Sequence, residues 1–385
     1  MQDKRKEPTD RTKYVVWGAA GGRCTLCNSS VLENENLGEP VPIGELAHNV
    51  GATGSAGSPR GERKLSRDDR AEPENLLLLC RNCHKPVDDG GAIGRYTVEQ
   101  LRKKKREHEQ RVYELTEIGA DRKATVLRVV GSIRGVTPEL ARDTVLTAAT
   151  ATGLFPQRLA GAHWNLVEAD LRHHVGENDG AYFQRVTPEI DELAQRVHAG
   201  VRSDEITRLA VFAIARIPLL VYLGAQLDDK VPTIIFQRHR VDEGNAWVWP
   251  GEDGKVPDFD VELLQEGTDV RNVAVTLNLS GAIGRAELPA FIDKTFTIYS
   301  LSSSELGPSA ISSLAALRAF ESVLRSLLAR IEGRTKPVAL SVFAAIPVAA
   351  AVTLGRVLMP NVSPALHLYD RDKDGKFFFA LEIKR

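Results

Sequence analysis

Cysteine is scarce in this chain, with four residues in 385, all within the first 83 positions; the 302 residues beyond have none. A disulfide framework is thereby excluded for most of the chain, and two closely spaced pairs read instead as thiolate metal ligands in a reducing compartment. Long apolar runs are missing too. The two longest, Val342–Leu354 and Ile217–Leu223, are too short to span a bilayer, and Arg356 and Arg216 lie close beside them. The charged start MQDKRKEPTD carries no apolar stretch, so no secretory leader is expected and the expected location is the cytoplasm. Charge of one sign is also lacking. Fifty basic against 51 acidic residues leave a net charge of −1, with 20 against 18 in residues 1–115 and 30 against 33 beyond. Bulk electrostatics therefore argues for no polyanionic partner, and a case for nucleic acid must rest on site chemistry.

What is present is an ordinary globular composition, 43% apolar and 26% charged, long enough for two or three domains. Cys24, Cys27, Cys80 and Cys83 form two CxxC pairs separated by 52 residues, four soft ligands that suit tetrahedral zinc with no open position. Such a zinc is structural: it ties an early turn to a later helix and leaves no room for an activated water. Around the cysteines the pattern implies a helix from Arg11 to Trp17, a strand within Pro42–Val50, a Gly-rich loop from Gly51 to Arg63, the leucine run of ENLLLLC, and a helix from CHKPVD. A further helix over Tyr96–Leu115, with Leu101, His108, Val112 and Leu115 at helical spacing, closes this unit.

Three segments then stand in order: GELAHNVG at 44–51, ENLLLLC at 74–80 and CHKPVD at 83–88. This His, Asn, His series resembles the zinc-stapled branch of the HNH nucleases over about 65 residues, which implies a ββα-metal fold and hydrolysis of DNA. Phosphodiester hydrolysis needs a base near neutrality and a cation on the phosphate. His48 is the candidate base; His84 and Asp88, one helical turn apart, are candidates to hold magnesium or manganese; Asn75 fastens the strands or lends its carbonyl to the metal. One departure stands at Ala47, where many relatives of this family carry a second ligand, and Glu45 is expected to orient His48. Arg60, Arg63, Arg81, Lys85 and the run 102–106 are candidates for phosphate contacts on DNA, although charge runs are commonly only solvated helix faces. The competing expectation is a zinc-bound DNA-binding module without catalysis, with His48 an ordinary core histidine.

Beyond residue 115 the alternation becomes strand, helix, strand, and it repeats. VLRVVGSIRG (126–135) matches VTLNLSGAIG (275–284), and LAVFAIARIPLLVYLGAQL (209–227) matches LSVFAAIPVAAAVTLGRVL (340–358); the latter pair is followed by PTIIFQ and PALHLY. Short apolar strand-to-helix turns resemble one another by chance, but here the order agrees in both copies. Two α/β units are expected, about 120–250 and 265–385, with ligands at the carboxyl ends of their strands. A nuclease-like unit at 1–115 followed by a doubled α/β region at 120–385 resembles the HNH-SAVED effectors of bacterial CBASS antiphage systems. In that family the SAVED region fuses two CARF-like, Rossmann-like units and senses a cyclic oligonucleotide.

The resemblance implies an α/β fold overall, a cytoplasmic bacterial protein, and an activator that is a cyclic dinucleotide such as a cyclic GMP-AMP, or a cyclic trinucleotide. It also implies a double-stranded DNA substrate, and a homodimer that assembles to a tetramer on ligand binding and thereby pairs nuclease sites. Candidate ligand contacts are Ser132 and Arg134 beside Gly131, their repeat counterparts Ser280 and Gly281 beside Gly284, and Gln237, Arg238 and Arg240 after a strand. Trp247 and Trp249 are candidates to stack on a base, sheet packing being their alternative role. Two other functions stay open on the sequence alone: a restriction-type nuclease whose C-terminal half reads DNA, and a non-catalytic zinc-dependent DNA-binding sensor.

Overall fold

The computed structural model describes residues 5–32, 42–55, 57–89, 96–116, 122–157, 166–177, 179–239, 244–250, 256–334 and 337–385. It divides into two units, Met1–Gly119 and Ala120–Arg385. In the first, α1 (Asp10–Ala19) starts at Thr9, whose hydroxyl accepts from the Thr12 amide at 3.1 Å. β1 (Gly44–His48) pairs antiparallel with β2 (Leu76–Cys80), His48 opposite Leu76 and Gly44 opposite Cys80. Then come α2 (Arg81–Asp88) and α3 (Val98–Thr116).

All four leucines of β2 are buried, together with Val16, Ala20, Ala47, Val87 and Leu101, so a short two-stranded sheet is covered on both faces. The buried stripe of α3 runs through Val98, Leu101, Lys105 and His108, and Val112 packs over Gly21. Leu115, expected in that stripe, is exposed; α1 ends at Ala19 and the chain turns at Gly21 (φ +60°), so among the described residues α1 does not cover it.

In the second unit, β3 (Lys123–Val130), α4 (Arg142–Ala151), β4 (Phe155–Pro156), β5 (Leu166–Asp170), α5 (Gly180–Arg202), β6 (Leu209–Ile214), α6 (Ile217–Leu227) and β7 (Thr233–Ile235) build a parallel sheet. There follow β8 (Phe259–Gln265), β9 (Val273–Asn278), β10 (Thr297–Ser303), α7 (Leu314–Arg334), β11 (Ala339–Ala345), α8 (Val348–Arg356), β12 (Ala365–Arg371) and β13 (Phe377–Ile383). The strand order of the first sheet, β5-β3-β6-β7, recurs in the second as β10-β9-β11-β12, all parallel, with antiparallel β8 and β13 added at the edges. Burial follows position: β6 and β9 are buried throughout, whereas edge strand β8 alternates.

The two sheets share one apolar core, and α6 lies directly on α8. A Cβ on Gly224 would run into the Val352 carbonyl, and one on Gly355 into the Val221 carbonyl. Gly224 and Gly355, Val221 and Val352, and Leu209 and Leu340 are all 131 positions apart, so the contact is reciprocal and the sequence repeat is a spatial one. Among the described residues, no helix is long and apolar enough to cross a membrane.

Candidate functional site

In the first unit the Sγ atoms of Cys24, Cys27, Cys80 and Cys83 lie within 4.8 Å of one another, with Cys27 and Cys80 at 3.7 Å. Thiolates about 2.3 Å from a tetrahedral zinc stand about 3.8 Å apart, so the donor set fits that ion. Burial works to raise the Cys27 thiol, but hydrogen bonding with Ser29 and its cysteine neighbours outweighs it and takes the group down to about 6. Burial pushes the Cys83 thiol up. The cysteine cluster ties the turn after α1 to the β2–α2 junction.

His48 ends β1, and its Nε2 is buried without a hydrogen-bond partner among the described residues. Burial, then the charge of Arg5, lowers its pKa, keeping the ring neutral near pH 7. His84 on α2 places Nδ1 2.6 Å from Glu45 Oε2 and Nε2 3.2 Å from Asp88 Oδ2. Glu45 therefore belongs to His84, not to His48 as expected: residues two apart on β1 share a face, but Glu45 lies three residues before His48 and points to the opposite side. The hydrogen bond to Asp88 does most to raise the His84 pKa; the Glu45 bond adds to it and burial opposes it.

Asn75 is a fastener. Its Oδ1 accepts from the Val50 amide at 2.8 Å, and its Nδ2 donates to the carbonyls of Val50 (2.8 Å) and Arg70 (3.0 Å), so the amide oxygen is committed to backbone.

Arg60 corrects its expected role as a DNA contact. It is 3% exposed and donates to the carbonyls of Asn49 (2.6 Å), Val87 (2.8 Å) and His48 (3.1 Å), with Asp88 at 3.4 Å. A guanidinium with this many backbone partners is a clamp joining β1, the loop and α2. Arg63 is exposed and pairs with Glu99 at 3.1 Å, and Arg81 and Lys85 are exposed on α2. Within the run 102–106, Lys105 turns inward to Glu109 and the others face solvent. Arg70 is a residue that sequence reasoning missed: buried, it donates to the carbonyls of Gly51, Thr53, Gly61, Arg63 and Leu65. A loop so rich in Gly and Ser has few side chains to pack, which was the available signal that something must gather its carbonyls.

In the second unit, the turn after β3 holds Ser132 buried and Arg134 exposed, with Arg134 (φ 50°) and Gly135 (φ 78°) left-handed. Arg134, expected to contact the ligand, and Gly135 donate their amides to the Glu177 carboxylate, at 2.7 Å from Arg134 and 3.3 Å from Gly135. The turn is thus an anion-accepting one, filled in this structure by a side chain. Glu177 also stands 3.6 Å from Arg216, a residue 2% exposed that binds Asp370 at 2.8 Å and joins the two sheets. Neither Glu177 nor Arg216 was singled out from the sequence. In the repeat, the amides of Leu279 and Ser280 both donate to Ala345 O, leaving the Ser280 side chain exposed, and a Cβ on Gly281 would meet the Ala345 Cβ at 4.0 Å.

Gln237 does not face a ligand: buried, its Oε1 accepts from the Ala349 amide at 3.1 Å in the first turn of α8. Arg238 is exposed on a cleft of about 480 Å³ that also carries Glu139, Asp143 and Asn245. Arg240 lies outside the described residues. The tryptophans are corrected as base-stacking candidates, since Trp247 is buried edge-on to Phe212 and Trp249 edge-on to His239. They pack the core beside β6 because the turn that carries them folds back over the sheet.

A doubled, parallel α/β unit with an anion-accepting turn after β3 is of the class that binds ligands at the carboxyl ends of its strands. Residues 189–383, half of the chain, match the family described as SMODS-associated and fused to various effectors sensor domain, SAVED. The chain belongs to the SAVED family. Among solved structures it is similar to an Acinetobacter baumannii Cap4 SAVED/CARF-domain containing receptor with the cyclic trinucleotide 3′3′3′-cAAA (14% identity, TM-score 0.47, covering 84% of this chain and 64% of that one). It is likewise similar to that receptor with 2′3′3′-cAAA (15%, 0.47, 84% and 63%) and to a Moraxella osloensis Cap4 receptor (13%, 0.38, 84% and 62%). The chain thus spans just under two thirds of the length of these receptors. No curated protein matches it.

Proposed function

We propose that this chain is an HNH endonuclease of CBASS-type antiphage defence, switched on by a cyclic oligonucleotide at its SAVED unit and hydrolysing double-stranded DNA. The observation that carries the nuclease reading is the neutral, buried Nε2 of His48 at the end of β1, without a hydrogen-bond partner among the described residues, in the same ββα unit as the His84–Asp88 pair on α2. Neutral His48 accepts the proton of a water whose oxygen bonds to phosphorus as the leaving oxygen departs. His84 and Asp88 offer an imidazole nitrogen and a carboxylate to magnesium or manganese, which when bound supplies positive charge to the phosphate. Arg60 and Asn75 hold the backbone of β1 and its following loop, and so position His48. Membership of a family of sensor domains fused to effectors supports the regulatory half. The ligand we infer is a cyclic oligonucleotide, and the relatives described with cyclic triadenylates add these to the cyclic dinucleotides expected from sequence. Activation through pairing of two nuclease units in an oligomer follows from the need to cut two strands.

The test is plasmid cleavage with magnesium or manganese, with and without a panel of cyclic di- and trinucleotides. We expect one or a few nucleotides to switch on degradation and His48→Ala to lower it by at least about 100-fold, as for loss of a general base. Cleavage without any nucleotide, with the C-terminal unit binding duplex, would establish the restriction-type alternative. No cleavage under any condition would leave a zinc-dependent binding module.

A further inference from the structure

The β5–α5 loop carries a His-His pair, His173 and His174, directly after β5, the edge strand at whose carboxyl end a ligand of an α/β sheet is expected. Facing them from the middle of α5 is Glu189. His173 Nε2 lies 3.1 Å and His174 Nε2 2.5 Å from the same oxygen, Glu189 Oε1, and the three ligand atoms fall within 4.8 Å of one another. His173 Nδ1 is 2.9 Å from the Asp170 carbonyl, which can only accept, so Nδ1 carries the proton. In the neutral ring, Nε2 then presents a lone pair to a carboxylate oxygen. That arrangement is repulsive unless a positive charge, a proton or a metal ion, lies between them. A backbone carbonyl fixing Nδ1–H so that Nε2 is free is also how proteins orient imidazoles that ligate metal.

We propose that His173, His174 and Glu189 form a second metal site, separate from the cysteine cluster, for a borderline divalent ion such as zinc. Two imidazoles and one carboxylate suit zinc in charge and softness, and at ligand distances of about 2.0 to 2.2 Å the donors stand about 3.4 Å apart, so a small outward movement of Glu189 admits the ion. The fourth position faces solvent, since His173 is 62% exposed, and takes water. The ion joins the loop to α5. Glu177, four residues after His173 on the same loop, holds the Arg134 and Gly135 amides, so metal occupancy steadies the anion-accepting turn. This inference stands whether or not the first unit cleaves DNA.

The deciding measurement is the zinc content of the full chain, by mass spectrometry of the metal after loading with excess zinc and dialysis into metal-free buffer, for wild type, the double variant His173→Ala/His174→Ala and the near-isosteric Glu189→Gln. The double variant is expected to carry one zinc per chain fewer than wild type, and Glu189→Gln, a weaker site, to lose the same ion while free zinc is still higher than the level at which wild type loses it. With cobalt in place of zinc, the variants are expected to lose ligand-field absorption while the thiolate-to-cobalt charge-transfer band of the cysteine cluster is unchanged. Equal zinc content in all three proteins overturns the proposal. Glu189→Gln keeps the size and hydrogen-bonding reach of the native side chain, so it decides the matter even if the double variant fails to fold.

Discussion

Arg60 shows how one residue type can serve two purposes that sequence alone does not separate. As a basic residue in a Gly-rich loop it fits a phosphate contact, yet its fourth and longest bond is to Asp88 and the other three are to buried carbonyls. Arg60→Ala strands those carbonyls, so unfolding in urea is expected to show a loss of roughly 3 kcal/mol or more, whereas Arg63→Ala leaves stability within about 0.5 kcal/mol. His108 is a second residue whose role is set by its surroundings. Burial lowers its pKa, and the neutral ring bonds the Ala20 carbonyl through Nε2 at 3.1 Å and receives Arg111 at Nδ1 at 2.8 Å. A folded pKa below the unfolded 6.5 means that the unfolded chain binds more protons in this range. The contribution to stability is therefore complete above the unfolded value and is lost as pH falls toward the folded one. Thermal melts between about pH 7.5 and about pH 5.5 should show falling stability, and a shallower fall in His108→Gln, the remaining slope coming from His48 and His239, which burial also lowers.

At the scale of elements, the α6–α8 crossing is the point on which the doubled unit depends. The helices approach until backbone meets backbone, which only glycine at positions 224 and 355 permits. Gly355→Val should therefore lower the free energy of unfolding by about 1–3 kcal/mol or more, because the obstacle is a carbonyl that cannot rotate away. Gly333 in α7 is the matched control: a Cβ there meets nothing, and Gly333→Ala should be neutral or stabilising by up to about 1 kcal/mol in the same urea titration. The ββα element of the first unit is shorter, and its strands hold few ladder bonds. Its order rests on four buried leucines, the Arg60 and Arg70 clamps and the cysteine cluster.

For the whole molecule, the division into two units gives ligand binding a local signature. If a cyclic oligonucleotide binds the SAVED unit, then at 100 times its dissociation constant it adds about 2.7 kcal/mol to that unit's stability. Calorimetry should show the transition of the second unit moving upward with the cognate nucleotide and not with linear counterparts. A nucleotide that activates cleavage without moving that transition would place its binding elsewhere.

The cysteine spacing, the His-Asn-His series and the internal repeat were legible in the chain because each is a matter of residue identity at fixed intervals. They carry the metal-ligand set, the ββα order and the paired α/β sheets, with an offset of 131 positions across the α6–α8 segments. Which partner each polar side chain takes was decided only by the tertiary structure. Glu45 binds His84 because strand alternation and the placement of α2 bring them together; Glu177 fills the turn after β3, and Gln237 caps α8, because segments far apart in the chain converge there. His173, His174 and Glu189 are likewise neighbours only once α5 packs beside β5. Periodicity reports which face of an element is buried, whereas hydrogen bonds and ion pairs form between whatever the packed elements place within about 3 Å.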